Sequence, residues 1–463
     1  MTARIHVFQS VDCEGADLPK SVSEQLEHLG EIGSLVKLSE KDLDSIHALT
    51  QEAGTSLLDS KLAESLGAIE PALCAILDRY DVVVANPPYM GSSSFNPFMS
   101  SWIKKNYPDV KSDLCTCFIE RSYDLAEKHG YSSMVTMQSW MFLGSFEKMR
   151  NRLIDEKNIV SMAHLGPRAF DAIGGEVVSV TAAVLYNYVS TMKGTYFRLV
   201  DIVGGEPKRE KLLEAISNPT CGWFYRADAS TFHDIPGTPI AYWTSDALLQ
   251  AFSKGKIGDD FPVRKGLDTG NNDQFLRYWY EVAFCKVGIR FTSSADFSAA
   301  QKKWAPHDKG GEYRKWYGNA DWVINWENNG EELKKSTANL RSESLYFLPA
   351  ITWSSLSSGE PSFRLSNYGA ISNTAGSSMY PKVCSLKTIL GYMNSSVVSE
   401  ELSIMSPTLN YSAGPVSAIP RLVAKVPLQV DCVVDECVHA SIGDWNSHET
   451  SWDFNRHPLV GGA

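Results

Sequence analysis

No stretch of this 463-residue sequence approaches the ~18 consecutive apolar residues of a membrane helix, and no basic-then-apolar leader opens it. Those two absences argue against a membrane protein and against secretion. A disulfide framework is missing as well: the nine cysteines are odd in number, scattered, and include no CxxC pair. That usage points to a reducing, cytoplasmic setting. The ten histidines contain no HExxH and no i,i+4 pair, so the pattern offers no helix-borne metal site. Repeats and low-complexity tracts are also absent. Basic excess is lacking: 43 Lys+Arg stand against 54 Asp+Glu, a formal net charge of −11. The acidity is concentrated at the ends, with 14 acids against 6 bases over residues 1–80 and 6 against 1 over 431–463. Residues 81–430 are left at +2, so bulk charge does not exclude nucleic acid as a partner.

What is present is an ordinary globular composition, 43% apolar and 21% charged, long enough for about two or three domains. Residues 20–80 carry apolar positions at helical spacing, and 1–80 is read as a mostly helical segment. Asp81-Val-Val-Val-Ala85 is a β-branched run stopped by Asn86-Pro87-Pro88-Tyr89, as a buried parallel strand ending in a loop would be. A polar loop, a helix over about 112–128 ended by His129-Gly130, and a strand over 131–137 come next. A helix over 146–156 and strands over 159–165 and 177–187 follow, the last reached through Gly174-Gly175. This alternation predicts part of a doubly wound α/β sheet over 81–232, with ligands bound at the carboxyl ends of its strands. From 233 to 463 the chain is rich in Trp, Tyr, Gly, Ser and Asn with short strand-like runs. A second, mixed α+β domain is expected there, with a boundary near Ile235–Pro239.

The tetrapeptide carries the chemistry. An exocyclic amine on a planar base is a poor nucleophile because its lone pair is delocalised into the ring. The Asn86 side-chain oxygen and the Pro87 carbonyl could each accept one of its N–H bonds, turning the nitrogen toward tetrahedral geometry. Pro87 and Pro88 stiffen the backbone that aims the carbonyl. Tyr89 offers a flat face for stacking, and a base must leave the duplex to reach it. A Pro-Pro turn that merely ends a strand is the plain alternative.

At these residues the chain resembles the amino-group DNA methyltransferases of the gamma motif order, TaqI-like and type IIG. It is most similar to the PglX-type adenine-specific methyltransferases of BREX phage-defence systems. The stretches that carry the likeness are Gly33–Val36, Asn86–Gly91, Lys111–Leu114, Phe118–Arg121, Trp140–Leu143 and Phe146–Lys148, then Gly266–Asp273, Lys315–Gly318 and Ser406–Asn410. The resemblance implies a class I methyltransferase (Rossmann-like) sheet joined to a target-recognition domain. It implies S-adenosylmethionine as methyl donor, double-stranded DNA as substrate, and other phage-defence proteins as further candidate partners. Asn86, Pro87, Pro88 and Tyr89 fall on the family's catalytic motif, with Asn86 and Pro87 also walling the cofactor. Phe170 matches the second aromatic that closes over the flipped base, with an ordinary core aromatic as the rival reading. Thr269, Gly270, Asn271 and Asn272 match a polar turn near DNA, and an Asx-type turn without contact is equally open.

One part of the family pattern is missing. No Gly-x-Gly precedes Asn86, and Gly30-Glu-Ile-Gly33 has the wrong spacing for a cofactor loop. The expectation is therefore of a fragment or one piece of a split gene, with a truncated recognition domain and no activity on its own. A type IIG restriction enzyme and a non-catalytic DNA-recognition module are the alternatives. Cys432, Cys437 and His439, in a Val-rich run read as a strand, lack a second ligand pair, and no metal is expected. Cys115 and Cys117 read as core thiols. The aromatics interleaved with Arg and Lys between 264 and 326 suit a nucleic-acid surface and a mixed-domain core equally well.

Overall fold

The computed structural model describes residues 5–51, 57–170, 178–357, 359–380, 385–406, 410–421 and 427–460, without the side chains of 57–59 and 427. Asp171, Gly174, Gly175, Val177 and 407–409 lie outside the described residues. The chain divides into two compact units, 1–233 with 237–243, and 234–236 with 244–463.

The first unit opens with helices α1 (Lys20–Glu27), α2 (Leu29–Ile32), α3 (Glu40–Gln51) and α4 (Leu57–Leu77), then strand β1 (Tyr80–Ala85). Helices α5 (Pro97–Asn106) and α6 (Leu114–Leu125) separate β1 from β2 (Ala126–Met137), and α7 (Glu147–Glu156) leads to β3 (Asn158–Pro167). The unit closes with β4 (Ser179–Tyr186), β5 (Gly194–Arg198), α8 (Gly205–Ser217) and β6 (Phe224–Ala227). Helix starts follow local chemistry. Asn96 caps α5 by accepting from the Met99 N–H at 2.8 Å, with Pro97 at the first helical position. Asp113 caps α6 through the Cys115 N–H at 3.0 Å.

The six strands form one mixed sheet in the order β1-β2-β4-β3-β5-β6. β1 runs parallel to β2 and β3 parallel to β5, while β4 is antiparallel to both of its neighbours. The carboxyl ends of β1, β2 and β3 and the start of β4 therefore share one edge. The helix expected to reach about 128 stops at Leu125, and His129-Gly130 lies inside β2. His129 takes φ +69°, and the register with β1 shifts between Tyr80 and Val82, so the pair is bulge-like. A core of helix and sheet residues, including Leu26, Leu66, Leu73, Ile103, Trp140, Leu153 and Met162, holds the unit.

The second unit contains two four-stranded sheets built from β7 (Val263–Arg264), β8 (Leu276–Tyr278), β9 (Trp304–Asp308) and β10 (Trp322–Asn325), with β11 (Ala350–Trp353), β12 (Phe363–Ser366), β13 (Ile371–Ser372) and β14 (Ser378–Met379). Their orders are β13-β9-β10-β8 and β12-β11-β14-β7. Gly266 lies so close to the backbone of Ser372 and Asn373 that any Cβ would collide with it, which accounts for glycine there. The Val-rich run around Cys432 is a helix, Pro427–Trp445, and not a strand; runs of Val cannot separate the two by periodicity alone.

Candidate functional site: the carboxyl end of the first strand

β1 delivers Asn86 at the end of a parallel strand, and the two prolines stop the ladder there. Pro87 is buried; Asn86 and Pro88 are exposed and Tyr89 is half-buried. The Tyr89 hydroxyl lies 3.3 Å from both Asn86 Oδ1 and the Val135 carbonyl of β2. Burial raises the Tyr89 pKa, so the phenol stays a donor. The single O–H proton is shared between these two acceptors, and Asn86 Oδ1 keeps a lone pair for a ligand.

The loop is held from behind. The Leu114 N–H donates to the Met90 carbonyl at 2.9 Å and the Ser92 N–H to the Ser112 carbonyl at 3.0 Å. Further on, Arg150 is fully buried and ties the turn after β2 to 237–238. Its Nε donates to Thr238 O at 2.8 Å, Nη1 to the carbonyls of Trp140 and Leu143 at 2.7 Å, and Nη2 to Gly237 O at 2.5 Å. Burial lowers this guanidinium to about 10, and it remains charged at neutral pH. A lone arginine on a helix carries no local signature of burial, so nothing in the sequence marks Arg150.

Phe170 follows the carboxyl end of β3, at the same edge of the sheet, and is 37% exposed. It is not a core aromatic. Two strands, β2 and β4, separate its strand from β1. At this edge His164 is 4% exposed. Its Nε2 lies 2.8 Å from Gln138 Oε1 and its Nδ1 3.0 Å from the Tyr242 hydroxyl. None of these three was singled out by sequence, since the contacts join residues 26 and 78 positions apart.

The cofactor side is a different matter. Gly30 lies inside α2 and Gly33 follows its last residue, with the Gly30 N–H donating to Ser10 Oγ at 3.1 Å; no strand precedes them among the described residues. β1 is the edge of its sheet. Val82 and Val84, on one face of it, are 58% and 74% exposed. Asn86 and Pro87 were expected to form one wall of a methyl-donor site, and the described residues around them do not enclose a pocket.

In the second unit, Thr269 is 1% exposed and its hydroxyl lies 2.6 Å from Asn272 Oδ1. This corrects its reading as a surface contact: the side chain holds the turn. Gly270 takes φ +66° and its N–H donates to Asp268 Oδ1 at 3.1 Å, and Asn271 caps a short helix through Gln274 N–H at 3.2 Å. Gly270, Asn271 and Asn272 are exposed. The aromatics of this region divide. Phe275, Phe297 and Trp326 are core, whereas Tyr280 is 55% exposed and stacks on Tyr278, with centroids 5.2 Å apart. Among the described residues no His, Cys, Asp and Glu cluster could hold a metal. Cys115 and Cys117 are fully buried.

Residues 33–170, which include the tetrapeptide, match the family model of the Eco57I restriction-modification methylase. The chain is 39% identical over 398 residues to the adenine-specific methyltransferase PglX of Lacticaseibacillus casei (strain Zhang), covering 83% of this chain and 33% of that protein. It is 36% identical over 439 residues to the adenine-specific methyltransferase BrxX of Escherichia coli O9:H4 (strain HS), covering 93% and 35%. By sequence, most of the chain is similar to PglX-type adenine-specific methyltransferases. It spans about a third of the length of these curated relatives. The stretch matched by the family model includes Asn86–Tyr89, Gln138, His164 and Phe170, at one end of the sheet. In fold the chain is similar to the type IIL restriction-modification enzyme MmeI, solved in complex with DNA. That TM-score is 0.51 at 13% identity, covering 81% of this chain and 50% of that one.

Proposed function

We propose that this chain supplies the base-amine site and DNA-recognition region of a DNA adenine-N6 methyltransferase that uses S-adenosylmethionine and serves phage defence of the BREX type. The observation that carries the reading is Asn86 at the end of β1, its side-chain oxygen oriented by the Tyr89 hydroxyl. In this reading Asn86 Oδ1 and the Pro87 carbonyl accept the two N–H bonds of a flipped-out adenine. Tyr89 stacks on the base from the β1 side and Phe170 covers it from the β3 side. Gly270, Asn271 and Asn272 in the second unit are proposed DNA contacts, with salt-dependent binding as their signature. When bound, the methyl donor would supply the transferred methyl group, and Asn86 and Pro87 would orient the amine that receives it. The proposed domains are 1–80, 81–232 and 233–463.

The test is Asn86→Ala in the native gene context, with adenine methylation of host DNA read by sequencing. Loss of methylation is expected, and normal methylation overturns the amine-binding role. A second reading, a DNA-recognition module that does not methylate, is favoured by the open edge of β1. Titration of the purified chain with S-adenosylmethionine separates the two. Tight binding would show that the chain holds a donor site of its own and would remove the ground for that second reading.

A further inference from the structure

Gln138 follows directly on β2, whose end lies between the ends of β1 and β3 in the sheet. The tetrapeptide leaves β1 on one side of it and Phe170 follows β3 on the other. Gln138 is half-buried, and its oxygen is already committed to His164 Nε2 at 2.8 Å. A carboxamide oxygen only accepts, so Nε2 carries the imidazole proton and Nδ1 accepts from the Tyr242 hydroxyl at 3.0 Å. The chain continues inward. Tyr242 is stacked on buried Tyr196 at 4.5 Å between centroids, and Phe142 and Trp243 pack around the imidazole. Burial, with the charges of Arg198 and Lys208, lowers the His164 pKa to about 3, and the ring is neutral at working pH. The carboxamide of Gln138 is therefore pinned by its oxygen, and no described residue accepts from its nitrogen.

We propose that Gln138 determines base specificity: its pinned carboxamide donates an N–H to the ring nitrogen on the Watson–Crick edge, beside the amine held by Asn86 and Pro87. His164 and Tyr242 are positioning residues. The inference rests on the amine-binding reading above. Its chemistry is selective, because that ring nitrogen is an acceptor in adenine and cytosine but carries a proton in guanine and thymine. A fixed donor facing a donor leaves both unsatisfied, which rejects the keto bases.

The full chain is titrated by fluorescence anisotropy with a duplex carrying one adenine opposite an abasic site, the same duplex with 1-deazaadenine, and a fully paired duplex. Wild type should bind the adenine duplex about 3- to 10-fold more tightly than the 1-deaza duplex, the range of one hydrogen bond. Gln138→Ala should lose that difference. Gln138→Glu, which offers an acceptor where the amide offers a donor, should bind the adenine duplex at least as weakly as Gln138→Ala. Tyr242→Phe, which removes only the hydroxyl, should narrow the difference. Equal wild-type binding of adenine and 1-deazaadenine, or a difference that survives Gln138→Ala, overturns the role of Gln138 alone, provided the extruded base is still preferred over paired DNA through Asn86. No preference for the extruded base, or one that Asn86→Ala leaves intact, overturns the amine-binding reading and this inference with it.

Discussion

The end of β1 and the interior of the second unit treat polar groups in opposite ways. Just past β1, Asn86 is exposed, and its side-chain oxygen meets the Tyr89 hydroxyl at 3.3 Å. In the second unit, Asp308 is buried and accepts from Ser366 Oγ at 2.7 Å and the Tyr368 hydroxyl at 2.5 Å. Arg364, 1% exposed, donates to the Arg314 carbonyl at 3.3 Å and Ser354 Oγ at 3.4 Å. Burial raises the Asp308 pKa, while Tyr368, Ser366 and the Arg364 charge oppose that rise. There the polar groups are the fold, because each is desolvated and depends on its partners. Exposed polar groups positioned by an apolar scaffold are available to a ligand; buried polar groups that satisfy one another are not.

The contrast can be broken most directly at Asp308. Asp308→Ala leaves two buried hydroxyls without an acceptor and removes the carboxyl group that interacts electrostatically with buried Arg364. It should destabilise the second unit by about 3–5 kcal/mol, read as a lowered denaturation midpoint. A loss under ~1 kcal/mol would mean that this cluster is not what holds the unit. Asn86→Ala should do the reverse. Methylation in the native gene context is expected to fall by roughly 10²–10³-fold, as for loss of one preorganised polar group. The denaturation midpoint of the purified chain should stay within about 0.5 kcal/mol. A large stability loss would make Asn86 a structural residue.

Glu401 makes the stability of the second unit depend on pH. Burial raises the Glu401 carboxyl from 4.5 to about 7. Between those values the folded chain holds a proton that the unfolded chain releases. The stability this confers is present below about pH 4.5 and lost as pH rises through about 7. Glu401→Gln keeps the shape beside Tyr392, whose hydroxyl lies 3.2 Å from Oε2, and removes the titration. Melts at pH 5 and pH 8 should differ less in the variant, by on the order of 1–3 kcal/mol; an unchanged difference would assign the pH dependence elsewhere. The smallest effect is expected for Tyr89→Phe. It keeps the stacking face and removes the donor to Asn86 Oδ1 and Val135 O, for a loss of about 0.5–1.5 kcal/mol in binding an extruded base. Tyr89→Ala should lose about 1–3 kcal/mol on the same probe and less on paired duplex. Equal losses on both substrates would mean that Tyr89 does not stack.

The amino-acid sequence alone determined the strand at β1, its stop at two prolines, the residue types from which an amine-binding role is proposed for Asn86 and Tyr89, and the likeness to PglX-type proteins. All of these depend on neighbours in the chain: β-branched residues favour the strand, proline ends it, and side-chain chemistry belongs to residue type. Tertiary structure decided the rest. Strand β4 enters between β2 and β3, His129-Gly130 became a bulge inside a strand, Thr269 turned inward, and the Cys432 run became helix. It also brought Gln138, His164 and Tyr242 into one hydrogen-bonded series that starts just after β2, the strand next to β1. Strand pairing and burial are set by contacts between residues tens of positions apart, and no local period or turn signal encodes which of several apolar strands will be a neighbour.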